Sequence, residues 1–559
     1  MRNSVQGIVL GLLLAVGALL LTGCHADPDD PKGQANELSD KVRRNNALVN
    51  LQRILEATLV KVKGDRSADE FQKFVDVTIE KLVKTYLDNP ADTDGRMKIV
   101  RLLQEMRDPR SIPVLIEALK WREEVTEDQA VAAANAIKHT KIPAKERGKL
   151  VAALCESLGR IERSRGVDNQ MRKLFIEALG RLQDKGATDT LIKISLSRSE
   201  AQNFLFNILA AQQLVKIADP KSVPAMIKAL YLFDPSKPQM RMNDVAAATL
   251  VAVGKPSLQP LIDTLQGKNE DANQLVRDYI QAIKRRDPDF AAKMNEKALI
   301  SNEAAYALGK LGYREAIEYL IGETEADNEN RKFGAAIALV SINREEADTA
   351  PILEAIQKVY DKIEPVKRPQ LLVAVRHLYA SEVMPWFLHV LKTYEFELSP
   401  IRLFSFIGYA MLANKAEMQE LNVFLEKGPQ FKQRMGMNFK GYEMVMASAA
   451  ECDENIECWV GKLKHKENIV VRKAANTIAR FGRGNEAAIA GLVAHLQHRD
   501  LEVRNEVLGA LDYIAVKGSK VAVDKINEME DKEAGRSIWN NFKREALPTR
   551  SRLIIRAGG

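Results

Sequence analysis

An all-α solenoid of stacked antiparallel helix pairs is the fold class this sequence predicts, and three observations predict it. The block DPRSIPVLIEALK at 108–120 returns as DPKSVPAMIKALY at 219–231, with the same opening and the same apolar positions. Ile116 and Ile227 of the two copies are 111 residues apart, and Ile262 of a looser copy lies 35 residues beyond Ile227, so the period is that of one helical hairpin. Composition agrees: 46% of the 559 residues are hydrophobic and only 6% aromatic, which favours many small aliphatic contacts over a few large anchors.

Each copy is preceded by a second apolar stripe at helical spacing. The segments 169–187, 243–257, 302–316 and 470–488 run apolar and then reach a glycine or polar turn. Gly254, Gly312 and Gly482 stand where a left-handed residue can close the first helix of a pair. Pro113, Pro224 and Pro385 stand near the start of the second, where a missing N–H costs little. A stop followed by a start distinguishes two paired helices from one long one.

Val471-Arg472 and Val503-Arg504 lie 32 residues apart and open comparable stripes. They resemble the Val-Arg signature of HEAT repeats, including the short variety found in phycobilisome-lyase relatives. That resemblance, interrupted, spans about 95–530. It implies a HEAT/armadillo-like superhelix in which the arginine pairs with an acid, and Asp500 is the expected partner of Arg504 as a repeat-ordering pair. Each unit then buries its apolar face against its neighbours, and the array presents a long curved surface, expected to be lined by the second helices. Around it the chain divides into a leader (1–23), a flexible tether (24–36), a helical cap (37–94), the solenoid (95–530) and a C-terminal helix with a loose tail (531–559).

The leader carries a membrane address. Ile8 to Leu21 is an uncharged run of 14 residues behind Arg2. A spanning helix needs roughly 20, so this run fits a secretory signal better than a span. Leu21-Thr22-Gly23-Cys24 resembles the bacterial lipobox, which implies removal of 1–23 and a diacylglycerol with further acyl groups on Cys24. Each buried methylene of such chains contributes about 0.8 kcal/mol, so several chains hold durably. His25 stands where an aspartate often retains bacterial lipoproteins in the inner membrane, so the resemblance favours the outer membrane and a periplasm-facing chain.

The rest of the sequence bounds the chemistry. A formal charge of +7 spread over this length is a weak bias, and the clusters KVRR at 41–44 and KRR at 284–286 read as solvated helix faces or ends, not as a nucleic-acid site. Besides Cys24, Cys155 falls on an apolar stripe as a small core residue, while Cys452 and Cys458 enclose only DENIE and form a possible disulfide if their Cα separation allows. His495 and His498 could share a helix face, but two ligands do not make a closed metal site. No phosphate loop, nucleophile elbow or His-Glu-x-x-His pair is present, so no catalytic residue, metal or cofactor beyond the acyl groups is expected. One segment departs from the pattern, with Phe431, Met435, Met437, Phe439, Tyr442, Met444 and Met446. It reads as core of an elongated repeat, or, if those side chains prove contiguous and exposed, as an interaction segment.

These readings converge on a lipid-anchored scaffold that binds a protein or extended peptide in the bacterial envelope and touches the membrane only through its anchor. The alternatives are a HEAT-like enzyme or pigment-attachment helper, since some HEAT-like proteins are bilin lyases or DNA glycosylases, and a passive spacer. Export separates the chain from DNA and from cytoplasmic phycobiliproteins. A scaffold, unlike a spacer, needs an exposed apolar or charged concave patch.

Overall fold

The repeated Asp-Pro-basic-Ser block shows locally why the chain doubles back. Asp108 accepts from the backbone N–H of Arg110 at 2.8 Å, and the Ser111 hydroxyl donates to the Asp108 carbonyl at 2.6 Å. The turn Pro109–Ser111 is thereby wound tightly and launches the helix Ile112–Leu119, with Pro113 in its first turn. Asp219 and Ser222 make the same two bonds, at 3.2 and 2.7 Å, ahead of Val223–Ala229. The helix before each block ends on a left-handed residue, Arg107 (φ 55°) and Ala218 (φ 53°).

Glycine is thus not required at this position, and the three expected glycines differ. Gly312 adopts the left-handed region (φ 76°). Gly254 has φ 78° but ψ −135°, because it ends one helix and directly caps the next turn. Gly482 sits at φ −103° and closes its helix with a plain bond to the Ile478 carbonyl, which displaces the reversal to Gly484 at φ 76°.

A computed structural model describes residues 26–558 except 122–125, 200–201, 235, 343–345, 394–398, 428–430, 432, 434–436 and 534–539. The described residues form 30 α-helices and one two-stranded hairpin, in two compact units of residues 1–187 and 188–559. None of the described helices is long and apolar enough to cross a membrane.

In the first unit the helices are α1 (Pro31–Glu37), α2 (Arg44–Lys61), α3 (Asp69–Asp88), α4 (Thr93–Met106), α5 (Ile112–Leu119), α6 (Glu127–His139), α7 (Ala144–Gly159) and α8 (Gly166–Leu182). The first helices of the pairs, α2, α4, α6 and α8, lie side by side in one row, and α3, α5 and α7 form the other. Arg165 ties two members of the first row, bonding Glu127 of α6 at 2.6 Å and Asp168 of α8 at 2.8 Å.

The segment expected to be a flexible tether is packed from Ala26 onward. Asp30 caps α1, the buried Gln34 amide donates to the carbonyls of Ala26 and Asp27 at 3.1 and 3.0 Å, and α1 rests on α2 and α3. Its low apolar content did not prevent this, because buried amide hydrogen bonds hold it. Likewise Arg44, in a cluster expected to be solvated, is buried and bonds Asp92 at 3.1 Å.

The second unit runs α9 (Thr188–Ser195), α10 (Leu205–Ile217), α11 (Val223–Ala229), β1 (Phe233–Asp234), β2 (Lys237–Arg241), α12 (Asn243–Val253), α13 (Leu258–Leu265), α14 (Glu270–Lys284), α15 (Pro288–Ala292), α16 (Glu296–Leu311) and α17 (Ile317–Thr324). It continues through α18 (Glu329–Ser341), α19 (Glu346–Lys362), α20 (Arg368–Val375), α21 (Val383–Thr393), α22 (Pro400–Leu412), α23 (Lys415–Lys427) and α24 (Met437–Cys452). The last elements are α25 (Ile456–Lys462), α26 (Asn468–Phe481), α27 (Glu486–His495), α28 (Leu501–Ile514), α29 (Lys520–Glu533) and α30 (Asn541–Arg556). The antiparallel hairpin β1–β2 and the pair α14–α15 interrupt the repeat.

Its first-helix row is α10, α12, α16, α18, α20, α22, α26 and α28. Small residues set the spacing: Ala304, Ala305 and Ala307 of α16 and Ala335, Ala336 and Ala338 of α18 are buried where the two helices meet. A Cβ at Gly309 would lie 2.9 Å from both the Cα and the carbonyl oxygen of Ala338, so glycine is needed for this approach.

The chain's end was expected to be a helix with a loose tail. Instead α30 packs on α12, α28 and α29, and Leu547 is buried with Val215 and Ala248. Gly309→Ala should lower the stability of the second unit by about 1–3 kcal/mol, because backbone and not a pliant side chain must move. Urea unfolding followed by circular dichroism would check it.

Candidate functional site

In the second unit one helix packs across the row of first helices. Helix α30 lies against α12, α16 and α28, all first helices, and its side chains meet an array of buried charge. Lys310 of α16 pairs with Glu545 at 2.6 Å, Arg552 with Asp512 of α28 at 2.6 Å, and Arg556 with the same carboxylate at 3.2 Å. Glu530 of α29 joins Lys216 of α10 at 3.3 Å and Arg550 at 3.1 Å. The long first helices thus carry α30, while the short helices after the turns stack in a separate row.

Beside α30 remains a cavity of about 580 Å³, walled by Arg376, Arg472, Glu506, Asp512, Arg552 and Arg556 with the Tyr379 and Tyr513 rings, 5.2 Å apart. Glu506 is its most enclosed group, with 4% of its side chain exposed. Burial alone would raise its pKa. The Arg376 guanidinium overrides burial, helped by His377 and Arg472, and holds the carboxyl well below the usual range. The Asn476 amide adds a bond at 3.0 Å. Arg552 and Arg556 hold Asp512 low in the same way against its desolvation. A second buried charge that sequence reasoning missed is Lys473. Desolvation pushes its ammonium well below the usual lysine range, and it donates to the Ala413 carbonyl at 2.6 Å at the end of α22.

In the first unit no described residue fills the groove among the first helices. Helices α2, α4 and α6 bound a groove of about 540 Å³ with Leu55, Leu59, Met97, Leu102, Val131 and Ala132 on its floor. Leu59, Met97 and Val131 are half-buried, so the floor reaches solvent. Glu56, Glu105 and Asp128 stand along it with Arg101 and several amides. Glu105 is bonded by Arg66 at 2.8 Å, whereas Glu56 and Asp128 are exposed and form no ion pair among the described residues.

The residues singled out from the sequence fall as follows. Cys24, and with it the lipidation site, lies outside the described residues. Cys452 and Cys458 form a disulfide across Cα atoms 5.4 Å apart, and Cys155 is half-buried on α7 outside any disulfide. Asp500 and Arg504 do not pair. Asp500 caps α28 through the Val503 N–H and accepts from Asn468 of the preceding repeat at 2.8 Å, while Arg504 donates to the His498 carbonyl. Both Asp500 oxygens are already taken, and Arg504 reaches the His498 carbonyl just before that cap; an arginine that does pair with acids of the next repeat is Arg472, bonded to Glu502 and Glu506.

The proposed interaction segment is not an exposed aromatic surface. Phe431, Phe439 and Tyr442 are buried around Phe406, with centroid separations of 5.2, 6.1 and 5.0 Å. Met444 and Met446 are half-buried, Met435 lies outside the described residues, and of Met437 only the backbone is described. His495 bonds the Gly491 carbonyl and His498 accepts from the Asp500 N–H, so each imidazole serves its own turn.

Comparison with known proteins agrees with this architecture. The profile of the PBS lyase HEAT-like repeat matches residues 96–120 and 302–322. The chain contains HEAT-like repeats. Both matched stretches pair a first helix with the turn and second helix that follow it, α4 with α5 and α16 with α17. Among solved structures the chain is similar to an engineered protein at 17% identity and TM-score 0.24, over 86% of this chain and 99% of that one. It is similar also to Kap121p bound to Pho4p at 12% identity and TM-score 0.39, over 94% and 75%. Kap121p bound to Ulp1p, a SUMO protease, overlaps at 13% identity and TM-score 0.34, over 94% and 74%. A search of curated proteins found no match.

The charge array makes two expectations. Glu506→Gln should destabilise the second unit by about 3–5 kcal/mol, since it strands the buried Arg376 guanidinium. Because the folded carboxyls of Glu506 and Asp512 are held below their unfolded values, near 4, their contribution is full above that range and is lost progressively as pH falls from it toward the folded values. Urea midpoints measured from pH 7 to pH 3 should therefore fall more steeply in the native chain than in Asp512→Asn, which begins lower.

Proposed function

We propose that this protein is a binding scaffold of the bacterial envelope, anchored by acyl groups on Cys24 and facing the periplasm, with the outer membrane as its site. The observation that carries the binding role is the open inner groove of the first unit. Its half-exposed apolar floor and unpaired carboxylates are what a scaffold requires and what a passive spacer does not. The anchor rests on the lipobox-like Leu21-Thr22-Gly23-Cys24 behind an apolar run too short to span. In this reading the chain performs no catalysis of its own and holds its partner by many modest contacts along stacked first helices.

Crosslinking of the native protein in membranes, followed by affinity purification, should recover a reproducible protein partner; recovery of none would overturn the scaffold. The anchor has a separate test. Cys24→Ser should move the protein from the membrane fraction to the soluble fraction and abolish labelling by a radioactive fatty acid, and unchanged fractionation would overturn the anchor.

A further inference from the structure

The chain contains its own example of what an inner first-helix face accepts. In the second unit the occupant is α30, which presents Leu547 and Leu553 as buried apolar contacts. Around them stand Arg544, Arg550, Arg552 and Arg556, paired with Asp244, Glu530 and Asp512 of the surrounding helices. The chemistry is that of a basic amphipathic helix laid into an apolar groove with acidic edges.

The first unit also has a groove among its first helices, and no described residue of the chain fills it. Its groove is bounded by three consecutive first helices, α2, α4 and α6, and the seat of α30 is likewise made of first helices, the neighbours α12 and α16 with α28 from further along the row. The apolar floor is flanked by Glu56, Glu105 and Asp128 against the single cation Arg101, a net acidic lining in a chain whose total charge is +7. Among the described residues Glu56 and Asp128 form no ion pair, whereas Asp244, Asp512 and Glu530 beside α30 each do.

We infer that the groove of α2, α4 and α6 docks a basic amphipathic helix of a partner protein. Aliphatic side chains at i, i+3 or i+4, and i+7 cover Leu59, Met97 and Val131, and flanking Lys or Arg residues pair with Glu56 and Asp128. This rests on the scaffold reading and names the chemistry of its partner.

The test uses the full chain in detergent and a fluorescein-labelled peptide with the sequence of residues 540–557, which carries this chemistry. Saturable binding is expected, weakened at least about tenfold by Glu56→Lys with Asp128→Lys and weakened by high salt, since exposed pairs are screened. Both substitutions are at exposed positions, so an unchanged melting midpoint will show that the fold survives. Hydrogen exchange should show peptide-dependent protection within 52–59, 97–105 and 128–135.

Absence of binding, or binding that the double substitution leaves unchanged, overturns the inference. So does protection confined to the second unit, which would mean that the peptide only displaces α30. Crosslinking in membranes separates the two readings. A partner recovered undiminished with the double variant removes the groove assignment and leaves the scaffold standing. If neither form recovers a partner, the scaffold falls, and the peptide titration still decides the chemistry of the groove.

Discussion

Each helix pair in this chain has an apolar face that only the next pair can cover, and the close lateral packing of the first helices is the constraint on which the rest depends. Where Gly309 meets Ala338, the approach leaves no room for a methyl group. Spacing that tight is possible only with alanine and glycine at the contact, which explains a composition rich in small aliphatics and poor in aromatics. Turns built on Asp108 and Asp219 then return the chain in few residues, so consecutive first helices stay neighbours. Side chains on the inner edge of such a row point at no other repeat, and their polar groups must find water, a partner or another part of the chain.

The two units resolve this differently. In the second, a helix from the far end of the chain fills the inner side, and five arginines and lysines neutralise carboxylates that burial would otherwise disfavour. The Glu506 and Asp512 carboxyls stay ionised because guanidinium groups lie against them, and the cost of desolvating such pairs buys little net stability. Their effect is on register: a carboxylate shared by Arg552 and Arg556 accepts α30 in one axial position only. In the first unit Glu56 and Asp128 are exposed and form no ion pair among the described residues, so water solvates them in place of a guanidinium.

Much of the architecture was legible because helical hairpins announce themselves locally. The Asp-Pro-basic-Ser block, prolines 113 and 224 and the Val-Arg pairs all act within one turn of helix, and a repeat prints such signals more than once. What misled the reading depended on which residues meet across the fold. Asp500 and Arg504 are one helical turn apart, yet Asp500 gives its oxygens to the Val503 N–H and to Asn468, and Arg504 bonds the His498 carbonyl instead. Phe431, Phe439 and Tyr442 read first as core and only conditionally as surface, and their common contact with Phe406, which no local pattern shows, settles them as core. Residues 26–36 looked too polar to pack, but Gln34 satisfies its amide inside.

The sequence by itself determined the helix pairs, their period, the all-α class and the lipobox-like address, because propensity, capping and hydrophobic spacing are properties of neighbouring residues. Only the tertiary structure decided that α30 returns to lie on first helices in one unit, and that an acidic groove among first helices is left unfilled by the described residues of the other. Glu56, Glu105 and Asp128 come from three helices with no common motif, and Lys310 meets Glu545 across 235 residues. Contacts of that range are selected by the summed burial of the whole stack, and no local pattern encodes them.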